Sequence, residues 1–183
     1  MQIGIVCASL LLLICFPPQN TGKKDKPAFS FSGAEYFHRY SKDDMHEYTP
    51  GGQEDLKRWS DMVTTRLYKN VKDGEGLAAT ANTVLETYKA NKAVVVRTDS
   101  VPRTPTKPAE HLIVVLFPRK DLIEAVFARF KIQDGAGAAV IYSHRIYGTK
   151  AGNDMSTWLK KNGQATEKTL MSMAASPAPP HKP

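Results

Sequence analysis

The feature that most constrains the fold is the unbroken apolar run from Leu112 to Phe117. Successive side chains of a strand point to opposite faces of a sheet, so this strand is apolar on both faces. A strand of that kind belongs in the centre of a sheet. The chain is therefore expected to fold around a sheet that contains this segment in its interior.

Two aromatic-rich segments nearer the N-terminus predict a hairpin. Tyr36 to Ser41 and Met45 to Thr49 flank the turn residues Lys42-Asp43-Asp44. The second segment ends at Pro50-Gly51-Gly52, which cannot continue a strand. These segments are expected to be the first two strands of the sheet.

The two histidines of this hairpin, His38 and His46, are candidate metal ligands. A loop of two or four residues would place His38 opposite Glu47 and His46 opposite Arg39, whereas a loop of three would place Arg39 opposite Glu47. Neither register brings the two histidines together. The pattern therefore favours surface pairs across the strands over a metal site.

Several other segments predict strands. Trp59 to Tyr68 fits a helix face or a strand, and its β-branched and aromatic residues favour a strand. Leu122 to Ile132 is equally ambiguous, but Asp134-Gly135 followed by Ala139 to Tyr142 is typical of a hairpin and favours strand, turn and strand. Ala93 to Val96 is interpreted as a further strand.

Two segments predict helices. Asp73 can cap a helix over about 74–91, because this segment has an apolar stripe formed by Leu77, Ala81, Val84, Leu85 and Tyr88. Asn153 or Asp154 can cap a second helix that holds Met155, Trp158 and Leu159. Gly163 is expected to break that helix before a last segment with Leu170, Met171 and Met173.

The predicted order is three strands, a helix, four strands and a helix. Short turns between strands predict an α+β fold with a mainly antiparallel sheet of about six or seven strands and helices packed on one face. This order of elements resembles that of the Mog1/PsbP-like α+β sandwiches, a group that includes exported accessory proteins. The resemblance extends over the whole mature chain and implies a fold, without implying roles for particular residues.

The domain boundaries follow from composition. Residues 1–18 are expected to be a signal peptide or N-terminal anchor, and residues 19–32 a linker. A single α+β domain is expected over 33–173, followed by a disordered proline-rich tail over 174–183.

The N-terminal segment predicts export. Ile3 to Phe16 is almost entirely apolar and ends at Pro17-Pro18. As a helix it would reach about 21 Å, short of the bilayer core of about 30 Å, which suits a signal peptide better than a stable membrane span. A periplasmic or extracellular protein is expected, with a retained membrane anchor, or lipidation at Cys15, as alternatives.

Cysteine content and charge narrow the chemistry. Both cysteines, Cys7 and Cys15, lie in the apolar run, so the mature domain has neither a disulfide nor a catalytic thiol. The net charge of +7 favours acidic partners or envelope components, although the basic residues are spread along the chain. No sequence motif indicates a cofactor, a metal site or an EF-hand.

A small basic and aromatic patch is the best candidate site. With a four-residue turn at 134–137, His144 would oppose Phe127, and Arg129 would oppose Tyr142 on the same face. The patch of Arg129, Tyr142 and His144, together with Arg145, predicts either a solvated strand face or a surface for an anionic group.

No catalytic residues are predicted. Ser143 and His144 are neighbours in a strand, so they point to opposite faces and cannot act as nucleophile and base. The leading hypothesis is an exported, non-enzymatic accessory or binding domain of unknown ligand. The alternatives are a hydrolase with a dispersed site and a protein that binds a polyanion such as a lipid headgroup, cell-wall polymer or nucleic acid.

Overall fold

Residues 26–177, which the computed structural model describes, form one antiparallel sheet of eight strands with two helices. The strands are β1 (Phe29–Phe31), β2 (Ala34–Lys42), β3 (Met45–Pro50), β4 (Asp61–Tyr68), β5 (Val94–Val101), β6 (Glu110–Pro118), β7 (Leu122–Gln133) and β8 (Ala136–Tyr147), and the helices are α1 (Gly74–Ala90) and α2 (Ala151–Ser172). The order across the sheet is β1-β2-β3-β4-β8-β7-β6-β5. The predicted α+β class with an antiparallel sheet is confirmed, with slightly more strands than expected.

The two helices cover opposite faces of the sheet. α1 buries Leu77 and Ala81 in one apolar cluster, and α2 buries Met155 and Leu170 in another. Side chains of β6 alternate between these clusters: Ile113 and Val115 lie on the α1 side, and Leu112 and Val114 on the α2 side. This corrects the expectation that both helices pack on one face, because strands that are apolar on both faces need a covering layer on each.

The hairpin predicted near Asp43 is present as β2 and β3. Lys42 pairs with Met45 across the turn. Asp43 has a φ of 52°, in the left-handed region that Asp tolerates better than most residues. The backbone of the tight turn therefore accounts for Asp43, and the Asp44 carboxylate forms an ion pair with Lys69.

A bulge at Arg39 changes the register of this hairpin. His38 lies opposite Tyr48, and Ser41 lies opposite His46. Both expected registers are wrong, because the turn begins one residue later and the bulge inserts an unpaired residue into β2.

The ambiguous segment at 122–132 is a strand, as expected. Gln133 pairs with Ala136 across the turn of Asp134 and Gly135, which have φ angles of 51° and 73°. Two consecutive positive φ angles are typical of the type I′ turn, which Asp-Gly favours in hairpins.

The register of β7 and β8 differs from the expected one. The turn has two residues instead of four, so Phe127 lies opposite Tyr142 and Ala125 opposite His144. Arg129 consequently faces Val140 across the strands. The shift is by an even number of positions, so the side chains of Arg129, Tyr142 and His144 still share one face.

The second helix is continuous, which corrects the expected break at Gly163. Asn153 and Asp154 lie inside its first turn, so neither is the N-cap. A glycine costs about 1 kcal/mol in a helix interior. Met155 before it and Leu170 after it are both buried in the α2-side cluster, and their burial holds the two halves in line.

The chain ends are described in part. The predicted leader at 1–18 lies outside the described residues, as does the tail beyond residue 177. The predicted linker contains β1, whose Phe31 is only 2% exposed, so the folded part begins earlier than expected. Neither described helix combines the length and the apolar character needed to span a bilayer.

Candidate functional site

Arg129 lies beneath α2 and is 4% exposed. Its Nε donates to Glu110 Oε2 at 2.7 Å, and its Nη1 donates to the carbonyl oxygens of Leu170 at 3.0 Å and Met173 at 2.6 Å. The guanidinium group therefore supplies donors to the C-terminal end of α2, where helix carbonyls lack partners. The expectation of a solvated face at this position is wrong, because α2 covers it.

Arg145 lies on the other face of β8. Its Nε donates to Glu124 Oε2 at 2.8 Å, and its guanidinium carbon lies 3.8 Å from the ring centroid of Trp59. Of the four predicted site residues, the structure thus brings only Tyr142 and His144 together. Both predicted arginines are engaged with groups of the protein itself.

The residue that joins Tyr142 and His144 is Asp61, at the start of β4. Asp61 lies directly opposite His144 in the adjacent strand β8. Its Oδ1 accepts hydrogen bonds from Tyr142 Oη at 2.7 Å and from His144 Nδ1 at 2.9 Å. Its Oδ2 has only a long contact of 3.5 Å with Gln53 Nε2, so this oxygen retains free lone pairs.

These contacts keep Asp61 ionised. Burial by itself would raise the pKa of the Asp61 carboxyl group, but the hydrogen bonds from His144 and Tyr142 outweigh it, and the pKa is lower than usual. Burial, followed by the negative charge of Asp61, raises the pKa of the Tyr142 hydroxyl group. A carboxylate and a protonated phenol are thus held side by side.

His144 is fixed from two directions. Its Nδ1 faces Asp61, and its ring stacks on Trp158 of α2 with centroids 4.1 Å apart and an interplanar angle of 10°. The side chain of His144 is 12% exposed, against 26% for that of Asp61. The imidazole therefore orients the carboxylate and links β8 to α2.

Asp61 lies in a cleft of about 490 Å³ between α2 and the β1-β2-β4 part of the sheet, hereafter the Asp61 cleft. Its aromatic walls are Phe31, Tyr36, Tyr142 and Trp158, and its polar lining is Ser32, Asp61, Asn162, Thr166 and Thr169. Among the described residues that line it, Asp61 carries the one full charge. The Asp61 cleft is thus acidic in a chain whose net charge is +7.

Four hydroxyl groups of this lining, those of Ser32, Tyr36, Thr166 and Thr169, have no partner within residues 26–177, and two of them belong to largely buried residues. Tyr36 is 2% exposed and Thr166 is 6% exposed, yet neither hydroxyl group forms a hydrogen bond there. The three threonines of α1 behave differently. The hydroxyl groups of Thr80, Thr83 and Thr87 each donate to the backbone carbonyl oxygen four residues earlier. The buried side-chain atoms without a partner in residues 26–177 are His111 Nε2 and Ser176 Oγ, so the hydroxyl groups of Tyr36 and Thr166 open onto the cleft and are available to a molecule there.

The hydroxyl group of Tyr36 is a neutral donor and acceptor at neutral pH. Burial, followed by the negative charge of Asp61, raises its pKa. Its ring stacks on Phe29 with centroids 5.4 Å apart, which fixes its position at the wall of the Asp61 cleft.

The bulge in β2 also creates a second polar cluster. His38 Nε2 and His46 Nδ1 both lie within hydrogen-bond distance of Ser41 Oγ, at 2.8 Å and 2.7 Å. The expectation that the two histidines stay apart is therefore wrong. In the part of the chain that the structure describes, no three His, Cys, Asp or Glu side chains are grouped as metal ligands.

Sequence reasoning missed Asp61, Tyr36 and Thr166. Asp61 and Tyr142 are 81 residues apart in the chain and meet only because β4 pairs with β8. The prediction of β4 as a strand was correct, but no signal in the sequence indicates its neighbour in the sheet. A carboxylate at the first position of a strand was the one available hint.

Comparison with known proteins supports the fold. No family model matches the chain, and no curated protein matches it. A solved structure of a mutant of the protein Mog1 is similar, with a TM-score of 0.51 and 11% identity over 75% of this chain and 82% of that one. The Ran-binding protein Mog1p of Saccharomyces cerevisiae has a TM-score of 0.48 and 10% identity over the same shares.

Human STARD10 matches more weakly, with a TM-score of 0.31 and 10% identity over 75% of this chain and 74% of that one. At these identities the similarity to Mog1 concerns the fold alone. The chain therefore has a Mog1-like α+β fold, as its order of elements predicted.

Proposed function

We propose that the protein is an exported binding domain and that the Asp61 cleft is its ligand site. The observation that carries this proposal is a cleft that contains the oriented Asp61 carboxylate and that the unpaired hydroxyl groups of Tyr36 and Thr166 line. A ligand in the cleft can form hydrogen bonds with both hydroxyl groups without breaking a contact within residues 26–177.

The dimensions and lining support a small ligand. A volume of about 490 Å³ falls in the range of about 300–1,000 Å³ usual for small-molecule sites. Such sites combine apolar walls with a few placed polar groups. The aromatic walls and the few oxygens around Asp61 follow that pattern.

The contacts of His144 support binding over catalysis. Its ring is restrained by a hydrogen bond from Nδ1 to the Asp61 carboxylate and by stacking of one face on Trp158. Within residues 26–177, no hydroxyl group forms a hydrogen bond with its Nε2, so no side-chain nucleophile is paired with it.

A hydrolase is the second candidate, and the Asp61–His144 pair is the observation that favours it. An aspartate on Nδ1 orients an imidazole so that Nε2 can accept a proton from water. Under this alternative His144→Gln would abolish hydrolysis of a chromogenic ester. Equal ester hydrolysis by wild type and His144→Gln would remove this candidate.

Export is proposed from the N-terminal segment. Both cysteines of the chain lie in the predicted leader, so its removal leaves a domain without thiols, which suits an oxidising compartment. Fractionation of expressing cells, with N-terminal sequencing of the recovered protein, tests this. Intact Met1 in the cytosolic fraction would contradict export.

Binding in the Asp61 cleft can be tested by nuclear magnetic resonance. A library of small polar molecules of mixed charge is added to the purified ¹⁵N-labelled protein, and amide shifts are mapped. The proposal is supported if the shifts are confined to residues around Asp61 and if the affinity is about tenfold or more lower in Asp61→Asn.

The matched control is Asp121→Asn. It removes the same unit of charge from an exposed turn residue that lies outside the cleft. Its affinities should equal those of the wild type within about twofold. If no molecule shifts the cleft resonances, or if both variants lose binding equally, the proposed site is wrong.

A further inference from the structure

The charge of the Asp61 cleft indicates the class of its ligand, and this inference rests on the proposed function. Lys and Arg together number 25 against 18 Asp and Glu, yet the described lining has one carboxylate and neither Lys nor Arg. A half-buried carboxylate disfavours an anionic ligand, because like charges repel more strongly where the ligand displaces water. The lining therefore selects a cation.

The polar atoms of the lining suit an ammonium group in particular. Oxygens with free acceptor capacity come from Asp61 Oδ2, Tyr36 Oη and Thr166 Oγ1. An ammonium group has three N–H donors and no acceptor, and it is a compact charge, whereas a guanidinium is a planar fork with five donors. Hydrogen bonds from an ionised donor are also stronger than those from a neutral one.

The walls add attraction for a cation and room for its apolar part. The face of an aromatic ring attracts a positive charge within about 6 Å. Tyr142 and Trp158 are nearly parallel, with centroids 6.5 Å apart and an angle of 23°, and Phe31 lies 5.1 Å from Tyr142. The volume of the cleft exceeds that of an ammonium group, so an attached hydrocarbon group would contact these rings.

We infer that the Asp61 cleft binds a small molecule through a primary ammonium group, with Asp61, Tyr36 and Thr166 as its acceptors. The oriented carboxylate supplies the charge, the two unpaired hydroxyl groups supply further acceptors, and the rings hold the apolar part. An isolated amine is expected to bind weakly, because it lacks the rest of the natural ligand.

Four probes of similar shape test the inference on the full chain at about pH 8, where imidazole groups are largely neutral. They are 2-phenylethylammonium, its trimethylated quaternary analogue, the neutral 2-phenylethanol and the anionic 3-phenylpropionate. Titrations followed by amide shifts should show the primary ammonium binding about tenfold or more tightly than each of the others.

Variants identify the acceptors. Tyr36→Phe and Thr166→Val remove one oxygen each while keeping the shape of the side chain. Each should lower the affinity for 2-phenylethylammonium by about tenfold. Asp121→Asn should change nothing. Because Asp61→Asn also removes the partner of Tyr142 and His144, the two hydroxyl variants keep the test independent of folding.

Each contrary outcome has a separate meaning. Equal or tighter binding of the quaternary analogue overturns the hydrogen-bonding role of the three oxygens. Preferential binding of the alcohol or the carboxylate in the cleft overturns the cation inference and leaves the proposed function in place. Failure of all four probes and of the mixed library to bind in the cleft would overturn both.

Discussion

The two faces of the sheet are built from the same strands but differ in chemistry. On the α1 side the buried side chains are apolar apart from Ser143, which lies opposite Val126. The apolar ones are Leu77, Ala81, Ile113, Val115, Phe117, Val126, Ala128, Phe130 and Ala139. On the α2 side the alternate positions of β7 and β8 include Arg129, Tyr142 and His144, and β4 adds Asp61. One hairpin thus contributes both an apolar core and a set of buried polar groups.

The difference teaches how a small domain keeps a polar site without losing its fold. The α1 side stabilises the fold by burying apolar surface. The free energy gained is roughly proportional to the buried area and does not depend on the orientation of the side chains. The α2 side depends on directional contacts, such as those of Arg129 to Glu110 and of Tyr142 to Asp61. The hydroxyl groups of Tyr36 and Thr166 have no such hydrogen-bond partner among residues 26–177, and both residues line the Asp61 cleft.

The largest effect is expected on the α1 side. Phe130 is fully buried, so Phe130→Ala should lower the free energy of unfolding by about 3–5 kcal/mol through lost burial and a residual cavity. Urea denaturation with a constant m-value measures this. A loss below about 1 kcal/mol would show that the α1 side is not a closely packed core.

A slightly smaller effect is expected from breaking the ion pair on the α2 side. Arg129→Met leaves Glu110 without its partner and frees the last carbonyls of α2, at a cost of about 2–3 kcal/mol. That is below the 3–5 kcal/mol of a fully buried pair, because the Glu110 side chain is 23% exposed. The double variant Arg129→Met/Glu110→Gln should recover part of the loss, and a double variant worse than the single one contradicts this account.

Two tyrosines on the α2 side allow a hydroxyl group with a structural role to be distinguished from one that faces the ligand. Tyr142→Phe removes a hydrogen bond to an ionised carboxylate and should cost about 1.5–3 kcal/mol of unfolding free energy. Tyr36→Phe removes a hydroxyl group without a partner among the described residues, so stability should change by less than about 0.5 kcal/mol. Thermal and urea unfolding of the pair tests this, and equal losses would contradict the assignment of Tyr36 to the ligand.

The smallest effect concerns the hairpin beside the α2 side. Burial, followed by the positive charge of His38, lowers the pKa of His46 from its usual 6.5, while Asp44 opposes the shift. The unfolded chain therefore takes up this proton more readily than the folded one. Stability is fully present above about pH 6.5 and falls as pH decreases through that value.

His46→Asn should reduce the slope of unfolding free energy against pH between about pH 7.5 and 5.5. Burial also lowers the pKa of His111, so part of the slope should remain in the variant. Urea denaturation at several pH values measures the difference. An unchanged slope would mean that His46 titrates alike in both states.

Much of the fold was predictable because its signals are local. The cap at Asp73 and the Asp134-Gly135 turn each depend on residues close in sequence, and both are present. The strand over 112–117 was correctly expected to be internal. Its two apolar faces also implied a cover on each side, a consequence that the expected single helical layer overlooked.

The errors arose where contacts between distant segments decide. Gly163 has the local signature of a helix end, yet packing of α2 along the sheet carries the helix through it. The bulge at Arg39 and the shorter β7–β8 turn changed which residues face one another. A change of two positions in register keeps the same side chains on each face but replaces every cross-strand neighbour, so the alternation of apolar and polar residues does not reveal it.

The candidate site shows the same division. The sequence pointed to Tyr142 and His144 as side chains on one face, and the structure places them together. Arg129 shares that face but bonds to the end of α2, and Arg145 lies on the other face.

The amino-acid sequence by itself determined the class of fold, the hairpins and the amphipathic helices, because propensity, periodicity and turn chemistry act over a few residues. Only the tertiary structure decided that β4 pairs with β8, that α2 covers the polar face, and that Asp61 meets Tyr142 and His144. The reason is physical. A cleft is formed by surfaces that become neighbours when the chain closes long loops, and its chemistry depends on distances between side chains that no local pattern records.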